Sequence, residues 1–215
     1  MKKNISIILQ ILSKKYAIKK IRPHGDGISE LILTILSQNT ADRNSGIAFA
    51  RLMNKFNSWE NVSNANTQTI KEQIKIGGMS NLKSKRIKKV LQIIKKNNES
   101  YDLSFLKKMN REESLAWLTS LPGVGSKTAS CVLLFAYGIQ SIPVDTHVGR
   151  IVKRIGLVET NLAADDVQIA LELLLQKKSY GIFHLNLIEH GRKICHAKKP
   201  LCNECVINQF CQKIK

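Results

Sequence analysis

Aromatic side chains make up only 6% of this 215-residue chain. Proteins that hold single-stranded nucleic acid stack successive bases on aromatic rings, so the shortage argues against a single-strand groove. Acidic residues are also few, since 16 Asp and Glu stand against 34 Lys and Arg and leave a net charge of +18. This excess is larger than solubility requires and indicates a polyanionic partner. Together the two shortages favour a nucleic-acid duplex held by its phosphates.

The chain also lacks an apolar run long enough to cross a membrane. Its first fifteen residues have a basic start and an apolar run, but Gln10 interrupts the run and no small-residue cleavage site follows. Ile5, Ile8 and Leu12 fall on one face of a helix. We therefore predict a packed N-terminal helix rather than a signal peptide, and a protein that acts in the cytoplasm, associated with the nucleoid.

No segment alternates apolar and polar residues over the length of a strand, whereas helical periodicity recurs along the chain. The predicted fold class is all-α, with enough residues for one large domain or two small ones. The breaker-rich residues 22–27 mark a domain boundary. Residues 57–66 are turn-rich and uninformative about secondary structure. Helices are predicted at about 41–56, with Thr40 as the N-cap, and at about 67–76, 82–97, 163–177 and 180–191.

Two further predicted helices are joined by a segment that contains one proline and two glycines. Residues 121–130 read L-P-G-V-G-S-K-T-A-S. Gly123 and Gly125 allow a tight turn because they have no Cβ, and the second helix then begins with free N–H groups. Such a helix-hairpin-helix binds a phosphate without reading a base. Gly123, Val124 and Gly125 are the candidate phosphate contacts.

Two candidate catalytic side chains accompany this hairpin. Lys127 lies in the first turn of the second helix, and a lysine amine is a nucleophile. Asp145 follows eighteen residues later, at the start of another apolar helix. Each residue alone has a simpler explanation, because a first-turn lysine is commonly a solvated charge and Asp145 is well placed as an N-cap. The spacing around the hairpin favours the catalytic interpretation.

Four of the five cysteines cluster near the C-terminus. Cys195, Cys202, Cys205 and Cys211 are separated by six, two and five residues. Four thiolates this close together need a cation, and only Cys202 and Cys205 form the C-x-x-C pair that zinc sites use twice. The pattern favours a [4Fe-4S] cluster, with zinc as the alternative under ligand preference alone. Cys131, on an apolar helix face, is predicted to be a core residue.

The motif L-P-G-V-G-x-K-T-A, followed at this interval by V-D-T-H, resembles the endonuclease III family of DNA glycosylases, and so does the cysteine spacing. The resemblance covers nearly the whole chain. It implies a two-lobed helix-hairpin-helix glycosylase fold, in which residues 25–138 form one lobe. Residues 1–24 and 139–215 form the other lobe and hold a [4Fe-4S] cluster. Lys127 and Asp145 would then face each other across a cleft.

The function that this resemblance implies is that of a bifunctional DNA glycosylase and AP lyase of base excision repair. Such an enzyme flips a damaged pyrimidine nucleotide out of duplex DNA and forms a Schiff base between Lys127 and C1′. It then nicks the strand 3′ to the abasic site by β-elimination. Asp145 would stay ionised and stabilise positive charge developing on the sugar. The implied partner is duplex DNA with damaged bases or abasic sites, and the protein is expected to be a monomer.

Further candidate DNA contacts lie in three loops. By the resemblance, Asn39 fills the gap left by the flipped nucleotide, with Gln38 beside it, the alternative being that both only cap and turn. Met79 is a candidate wedge between base steps, or else a methionine that fills a gap between helices. Lys198 and Lys199 lie between the first two cysteines, in a loop held at both ends that is placed to meet phosphates.

The helix after Met79 is rich in basic residues, which we interpret as phosphate contacts or as a solvated face: Lys83, Lys85, Arg86, Lys88 and Lys89. Other functions also stay open. Alkylated-base and mismatch glycosylases share the superfamily, although the mismatch enzymes lack a Schiff-base lysine at position 127. A non-catalytic DNA-binding module that uses only the hairpin would leave Lys127 and Asp145 without a role.

Overall fold

The computed structural model of the protein describes residues 2–17 and 21–212, and every regular element in these residues is helical. The predicted all-α class is therefore confirmed. The α-helices are α1 (Lys2–Tyr16), α2 (Gly27–Ser37), α3 (Asp42–Phe56), α4 (Trp59–Asn64), α5 (Thr67–Ile74), α6 (Ser80–Asn98), α7 (Arg111–Thr119), α8 (Ser126–Cys131), α9 (Thr146–Arg154), α10 (Ala164–Leu174) and α11 (Tyr180–Lys193). Within the described ranges, none of them combines the length and apolar character that a membrane span requires.

Short turns of tighter or wider helix complete the described elements. A π-helical turn, Val132–Ala136, continues α8 directly. The 3₁₀ turns are Lys75–Gly77, Ser104–Lys108, Lys177–Ser179, Cys202–Glu204 and Asn208–Phe210. Two of these 3₁₀ turns begin or end next to C-terminal cysteines, so the helical chain changes there to a loop of short turns.

The chain divides into two compact units. The hairpin unit is Pro23–Tyr137 and contains α2 to α8. The terminal unit combines the segment up to Arg22 with the segment from Gly138 onward, and contains α1 and α9 to α11. Lys127 thus belongs to the hairpin unit, whereas Asp145 and the four C-terminal cysteines belong to the terminal unit.

Helix α2 lies at the centre of the hairpin unit. It packs against α3 and α8, and its apolar residues Leu31, Ile32 and Ile35 have no exposed surface. The Asp26 carboxylate caps its first turn by accepting a hydrogen bond from the Ser29 N–H at 2.9 Å. At the other end of α2 the Gln38 N–H donates to the Ile35 carbonyl at 3.3 Å, so the start of the following loop is also held.

Helix α11 organises the terminal unit by packing against α1 and α9. Ile5, Ile8 and Leu12 of α1 are buried in the core that these helices share, which confirms the predicted packed face of the N-terminal helix. Helix α9 contributes Val148 and Ile151 to the same core. The other side of α9 carries Arg150 and Arg154, which donate hydrogen bonds to Cys195.

One local prediction was wrong, and a segment that the sequence left uninterpreted is helical. Residues 57–66 contain helix α4, which Ser58 caps by accepting a hydrogen bond from the Asn61 N–H at 3.1 Å. Thr40 does not cap α3, because that helix begins at Asp42 after Ala41, which makes no side-chain capping bond. The Thr40 hydroxyl instead donates to the Gly77 carbonyl in the next loop of the unit. The prediction for Cys131 is confirmed, since it is 4% exposed.

Candidate functional site

The hairpin that joins α7 to α8 has the predicted geometry. Gly123 adopts φ = +75°, a backbone conformation that disfavours any residue with a Cβ. The Val124 N–H donates to the Leu121 carbonyl at 3.1 Å and closes the turn. Gly125 then begins α8 without a side-chain capping bond. The start of α8 is therefore not blocked by a capping side chain, as a phosphate-binding helix end requires.

Gln38 connects this hairpin to the loop after α2. Its amide nitrogen donates to the Gly123 carbonyl at 3.1 Å, and its amide oxygen accepts from Arg86 Nη1 at 2.6 Å. The Arg86 side chain occupies the space that a Cβ on Gly123 would need. The Gln38 side chain thus serves as a bridge within the protein.

Asn39 and Met79, predicted in separate loops, lie against each other. The Asn39 amide nitrogen is 3.6 Å from Met79 Sδ. Both residues are in the left-handed region, with φ = 51° for Asn39 and φ = 48° for Met79. The Met79 side chain is 49% exposed, which is unusual for a large apolar residue. The structure therefore places both residues in one exposed pair.

Lys83 lies behind this pair, and its interpretation as a phosphate contact or part of a solvated face is wrong. It is 1% exposed. Its ammonium donates to the Leu36 carbonyl at 2.6 Å, to the Thr40 hydroxyl at 2.7 Å and to the Gly77 carbonyl at 2.8 Å. Burial lowers the pKa of this ammonium, and the nearby positive charge of Arg86 lowers it further.

Lys127 occupies the second position of α8 and is half-buried. Its ammonium makes no hydrogen bond or ion pair with any described residue of the hairpin unit. Because no partner in its own unit holds this amine, its nitrogen is available to act as a nucleophile, whereas a lysine in an ion pair is not.

Asp145 caps α9, as its alternative interpretation predicted. One carboxylate oxygen accepts the Val148 N–H at 2.8 Å. The other oxygen has no hydrogen-bond partner among the described residues of the terminal unit. The cap therefore fixes the carboxylate with one oxygen and leaves the second for another role, so capping and catalysis are compatible.

The four C-terminal cysteines line a single cavity, together with Arg154 and Leu201. Burial raises the pKa of the Cys205 thiol, and the neighbouring thiolates of Cys195, Cys211 and Cys202 raise it further. This mutual repulsion needs a cation. In the part of the chain that the structure describes, no three His, Cys, Asp or Glu side chains converge on a position for a single metal ion. Four thiolates that line one cavity are the donor set of a [4Fe-4S] cluster.

Two arginines of α9 hold the segment that begins at Cys195. Arg154 donates from Nη1 to Cys195 Sγ at 3.1 Å and to the His196 carbonyl at 2.7 Å. Arg150 donates from Nη2 to the Cys195 carbonyl at 2.8 Å. Hydrogen bonds of this kind to a ligand sulfur orient it and stabilise its negative charge.

His190 supports the cysteines from the other side. It is 1% exposed, and burial lowers its pKa to about 4, so its ring is neutral at pH 7. Nδ1 lies 2.7 Å from the Tyr16 hydroxyl and Nε2 lies 3.4 Å from Cys205 Sγ. The ring is therefore positioned as a hydrogen-bonding partner of the Cys205 sulfur.

Lys198 and Lys199 lie in the loop between Cys195 and Cys202, and both are exposed. The Leu201 N–H donates to the Ile194 carbonyl at 3.0 Å across the base of this loop. Arg154 Nη2 donates to the Ala197 carbonyl at 3.0 Å. The two lysines are thus carried on a loop whose backbone is already held.

Comparison with known proteins identifies the family. The family model described as HhH-GPD superfamily base excision DNA repair protein matches residues 32–177, more than half of the chain. The chain belongs to this superfamily. A second family model, the iron–sulfur binding domain of endonuclease III, matches residues 195–211, which span the four cysteines.

Relatives of this HhH-GPD protein include two enzymes named endonuclease III. The one from Sulfolobus acidocaldarius is 31% identical over 85% of this chain and 80% of its own length. The one from Thermotoga maritima is 34% identical over 87% of this chain and 83% of its own length. A solved non-covalent endonuclease III–DNA complex has a TM-score of 0.86 and 26% sequence identity, and the match covers 99% of this chain and 96% of that one.

These matches confirm several predictions for this HhH-GPD member. The chain is a DNA glycosylase/AP lyase of base excision repair that binds DNA. Its cofactor is an iron–sulfur cluster, and the chemistry of the four-thiolate cavity agrees with that assignment. Cys195, Cys202, Cys205 and Cys211 would hold the cluster through thiolate–iron bonds, and Arg154 and His190 would orient the sulfurs of Cys195 and Cys205.

Proposed function

We propose that this glycosylase removes damaged pyrimidines from duplex DNA and cuts the strand 3′ to the abasic site, with Lys127 as the nucleophile. The observation that supports this role most directly is the unpartnered, half-buried amine at the start of the hairpin helix. The lone pair of Lys127 Nζ attacks C1′, and the glycosidic bond breaks with its electron pair leaving on the base, which takes up a proton. Opening of the sugar ring and loss of a proton from nitrogen give the Schiff base.

The Schiff base then makes strand cleavage possible. It acidifies the C2′ proton, and removal of that proton expels the 3′ phosphate oxygen with the C3′–O electron pair. We assign Asp145 the role of stabilising positive charge at C1′ with its unpartnered oxygen and of assisting proton transfer.

The remaining site residues are assigned to DNA binding. The backbone at Gly123 to Gly125 would bind a phosphate, and the exposed Lys198 and Lys199 would bind others. Asn39 would enter the gap left by the flipped nucleotide, and Met79 would separate base steps beside it. Gln38 would act indirectly by holding the loop to the hairpin. We propose that a monomer does this on chromosomal DNA in the cytoplasm.

Borohydride trapping tests the nucleophile. Only a Schiff base can be reduced to a permanent link, so wild type and an abasic or oxidised-pyrimidine duplex should give a slow-migrating covalent band. Lys127→Gln should bind the duplex and give no band. The matched control is Lys96→Gln, which changes an exposed lysine of α6 and should trap as wild type does. Base release by wild type without any trapped band would refute the proposal in favour of a monofunctional glycosylase.

A panel of duplexes tests the substrate class. Thymine glycol, uracil, an oxidised purine, an alkylated purine and an abasic site should be compared for base release and for nicking. The proposal expects release and nicking with the damaged pyrimidine and nicking with the abasic site. Release of the alkylated purine alone would show an alkylated-base glycosylase.

A further inference from the structure

A buried ammonium without a counter-ion lies between the two loops that carry Asn39 and Met79. Lys83 reaches the loop after α2 through the Leu36 carbonyl at 2.6 Å and the Thr40 hydroxyl at 2.7 Å. It reaches the loop before α6 through the Gly77 carbonyl at 2.8 Å. The three acceptors match the three N–H donors of a protonated lysine. The side chain is therefore a cross-link between two loops that are far apart in the chain.

The charge is compensated by backbone dipoles. No carboxylate pairs with Lys83 in the described segments. Leu36 lies in the last turn of α2, where the partial negative charge of a helix C-terminus favours a cation. Gly77 ends a 3₁₀ turn whose carbonyl also points at the ammonium. An apolar residue of the same size would remove the donor to the Leu36 carbonyl and leave the Gly77 carbonyl with the Thr40 hydroxyl alone, which is unfavourable in a buried place.

The cross-link holds a strained arrangement. Met79 has φ = 48°, and the left-handed region disfavours residues with a Cβ. Such a conformation persists only where the surroundings impose it. Gly77 is two residues before Met79, and its carbonyl accepts from both Lys83 and Thr40. Asn39 is the neighbour of Thr40 and contacts Met79 Sδ at 3.6 Å.

We infer that Lys83 is a positioning residue that fixes the Asn39 and Met79 loops against each other before DNA arrives, so that both side chains enter the duplex together. This inference rests on the loop roles in the proposed function. Preorganisation lowers the ordering cost at the moment of nucleotide extrusion. Lys83 itself touches no DNA and takes no part in the chemistry at Lys127.

The test compares substrates that do and do not need extrusion. An abasic site in a duplex must be turned out of the helix, whereas the same site in a single strand is already accessible. Lys83→Met should slow borohydride trapping on the abasic duplex by about 10- to 100-fold, the size of effect expected from a small displacement of positioning groups. Trapping on the abasic single strand should change by no more than about twofold. Lys96→Met, an exposed lysine change in the same helix, should match wild type on both.

A fluorescence measurement isolates the insertion step. A 2-aminopurine base placed next to a stable abasic analogue brightens when it is unstacked. Wild type should produce this increase, and Lys83→Met should reduce its rate by about the same factor as it reduces duplex trapping. A wild-type rate with Lys83→Met would overturn the inference. Equal slowing on the duplex and the single strand would also overturn it, because the effect would then not be specific to extrusion.

A milder variant guards against failure to fold. Thr40→Val keeps the side-chain shape, removes one acceptor of Lys83 and removes the hydrogen bond to Gly77. It should slow duplex trapping less than Lys83→Met does and should leave single-strand trapping unchanged. Hydrogen exchange should rise in both loops and stay at the wild-type level in α3 and α5. Faster exchange throughout the hairpin unit with wild-type duplex trapping would show a purely structural lysine.

The loop roles themselves are checked by Asn39→Ala and Met79→Ala in the same assays. If both behave as wild type on the duplex, the loop roles fail and the inference fails with them. If both are slow on the duplex while Lys83→Met and Thr40→Val are not, only the inference fails. Loss of trapping on both substrates is expected of Lys127→Gln alone, so nucleophile failure is separable from either outcome.

Discussion

Replacement of Gly123 by alanine should both destabilise the protein and weaken its hold on DNA. The backbone at this position has φ = +75°, which costs a residue with a Cβ about 1–2 kcal/mol. A Cβ would also overlap the Arg86 guanidinium, which has to move. Arg86 would then lose its 2.6 Å hydrogen bond to Gln38. A hydrogen bond to a charged group contributes about 1.5–3 kcal/mol.

Together the two effects should lower the free energy of unfolding by about 3 kcal/mol. This value is near the low end of their sum, because Arg86 is half-buried and recovers part of its hydration when it is displaced. For a protein of this size that loss lowers Tm by about 6–12 °C. Gly46→Ala is the matched control, since Gly46 lies within α3 and a Cβ there meets no atom within 4 Å. It should stabilise the protein by about 0.5–1 kcal/mol.

Thermal unfolding of the two variants, followed by circular dichroism, measures the difference. Binding to a duplex with a stable abasic analogue should weaken for Gly123→Ala, because the displaced Arg86 no longer holds Gln38 against the hairpin. Gly46→Ala should bind as wild type does. A Gly123→Ala protein with the wild-type Tm would refute the reasoning, since neither the backbone strain nor the bridge through Arg86 would then contribute to stability.

Three other outcomes are expected. The purified protein should be brown and contain about four irons per chain. Metal analysis should show that Cys202→Ser loses iron and that Cys131→Ala keeps it. A colourless protein with one zinc would contradict the cluster. Lys198→Ala with Lys199→Ala should reduce the salt slope of DNA affinity by up to about two, and an unchanged slope would make them ordinary surface charges. Asp145→Asn keeps the cap and should fold normally with turnover reduced by about 10²–10³-fold; full activity would leave it only a cap.

The features that the sequence predicted well depend on residues close together in the chain. The hairpin turn needs glycine at position 123, where φ is +75°, and a glycine pair between two helical patterns is visible without a structure. The cysteines are also local, because their spacing alone restricts the metal chemistry. The N-cap at Asp145 follows from one side chain before an apolar helix. The all-α class follows in the same way from periodicity, one helix at a time.

The features that were missed depend on contacts across the chain. Lys83 and Leu36 are 47 positions apart, and nothing in a helix rich in lysine distinguishes the buried one from its solvated neighbours. The apolar face of α6 includes Ile87, Val90 and Leu91, and position 83 lies one turn before Ile87 on that face. The spacing of these apolar residues was the one indication in the sequence that Lys83 is buried. Because lysine is rarely found in protein cores, the sequence predicts a surface position for Lys83 instead.

The surroundings of α6 explain why a buried lysine is tolerated at position 83. A buried lysine needs hydrogen-bond acceptors from the protein, and the Leu36 carbonyl, the Thr40 hydroxyl and the Gly77 carbonyl supply them. About one turn further along the same helix, Arg86 donates a hydrogen bond to Gln38 and fills the space beside Gly123. Two basic side chains of one helix therefore set the positions of both loops and of the hairpin turn. Positive charge that the composition assigns to DNA binding is thus partly used inside the protein, where it arranges the segments that we propose as DNA contacts.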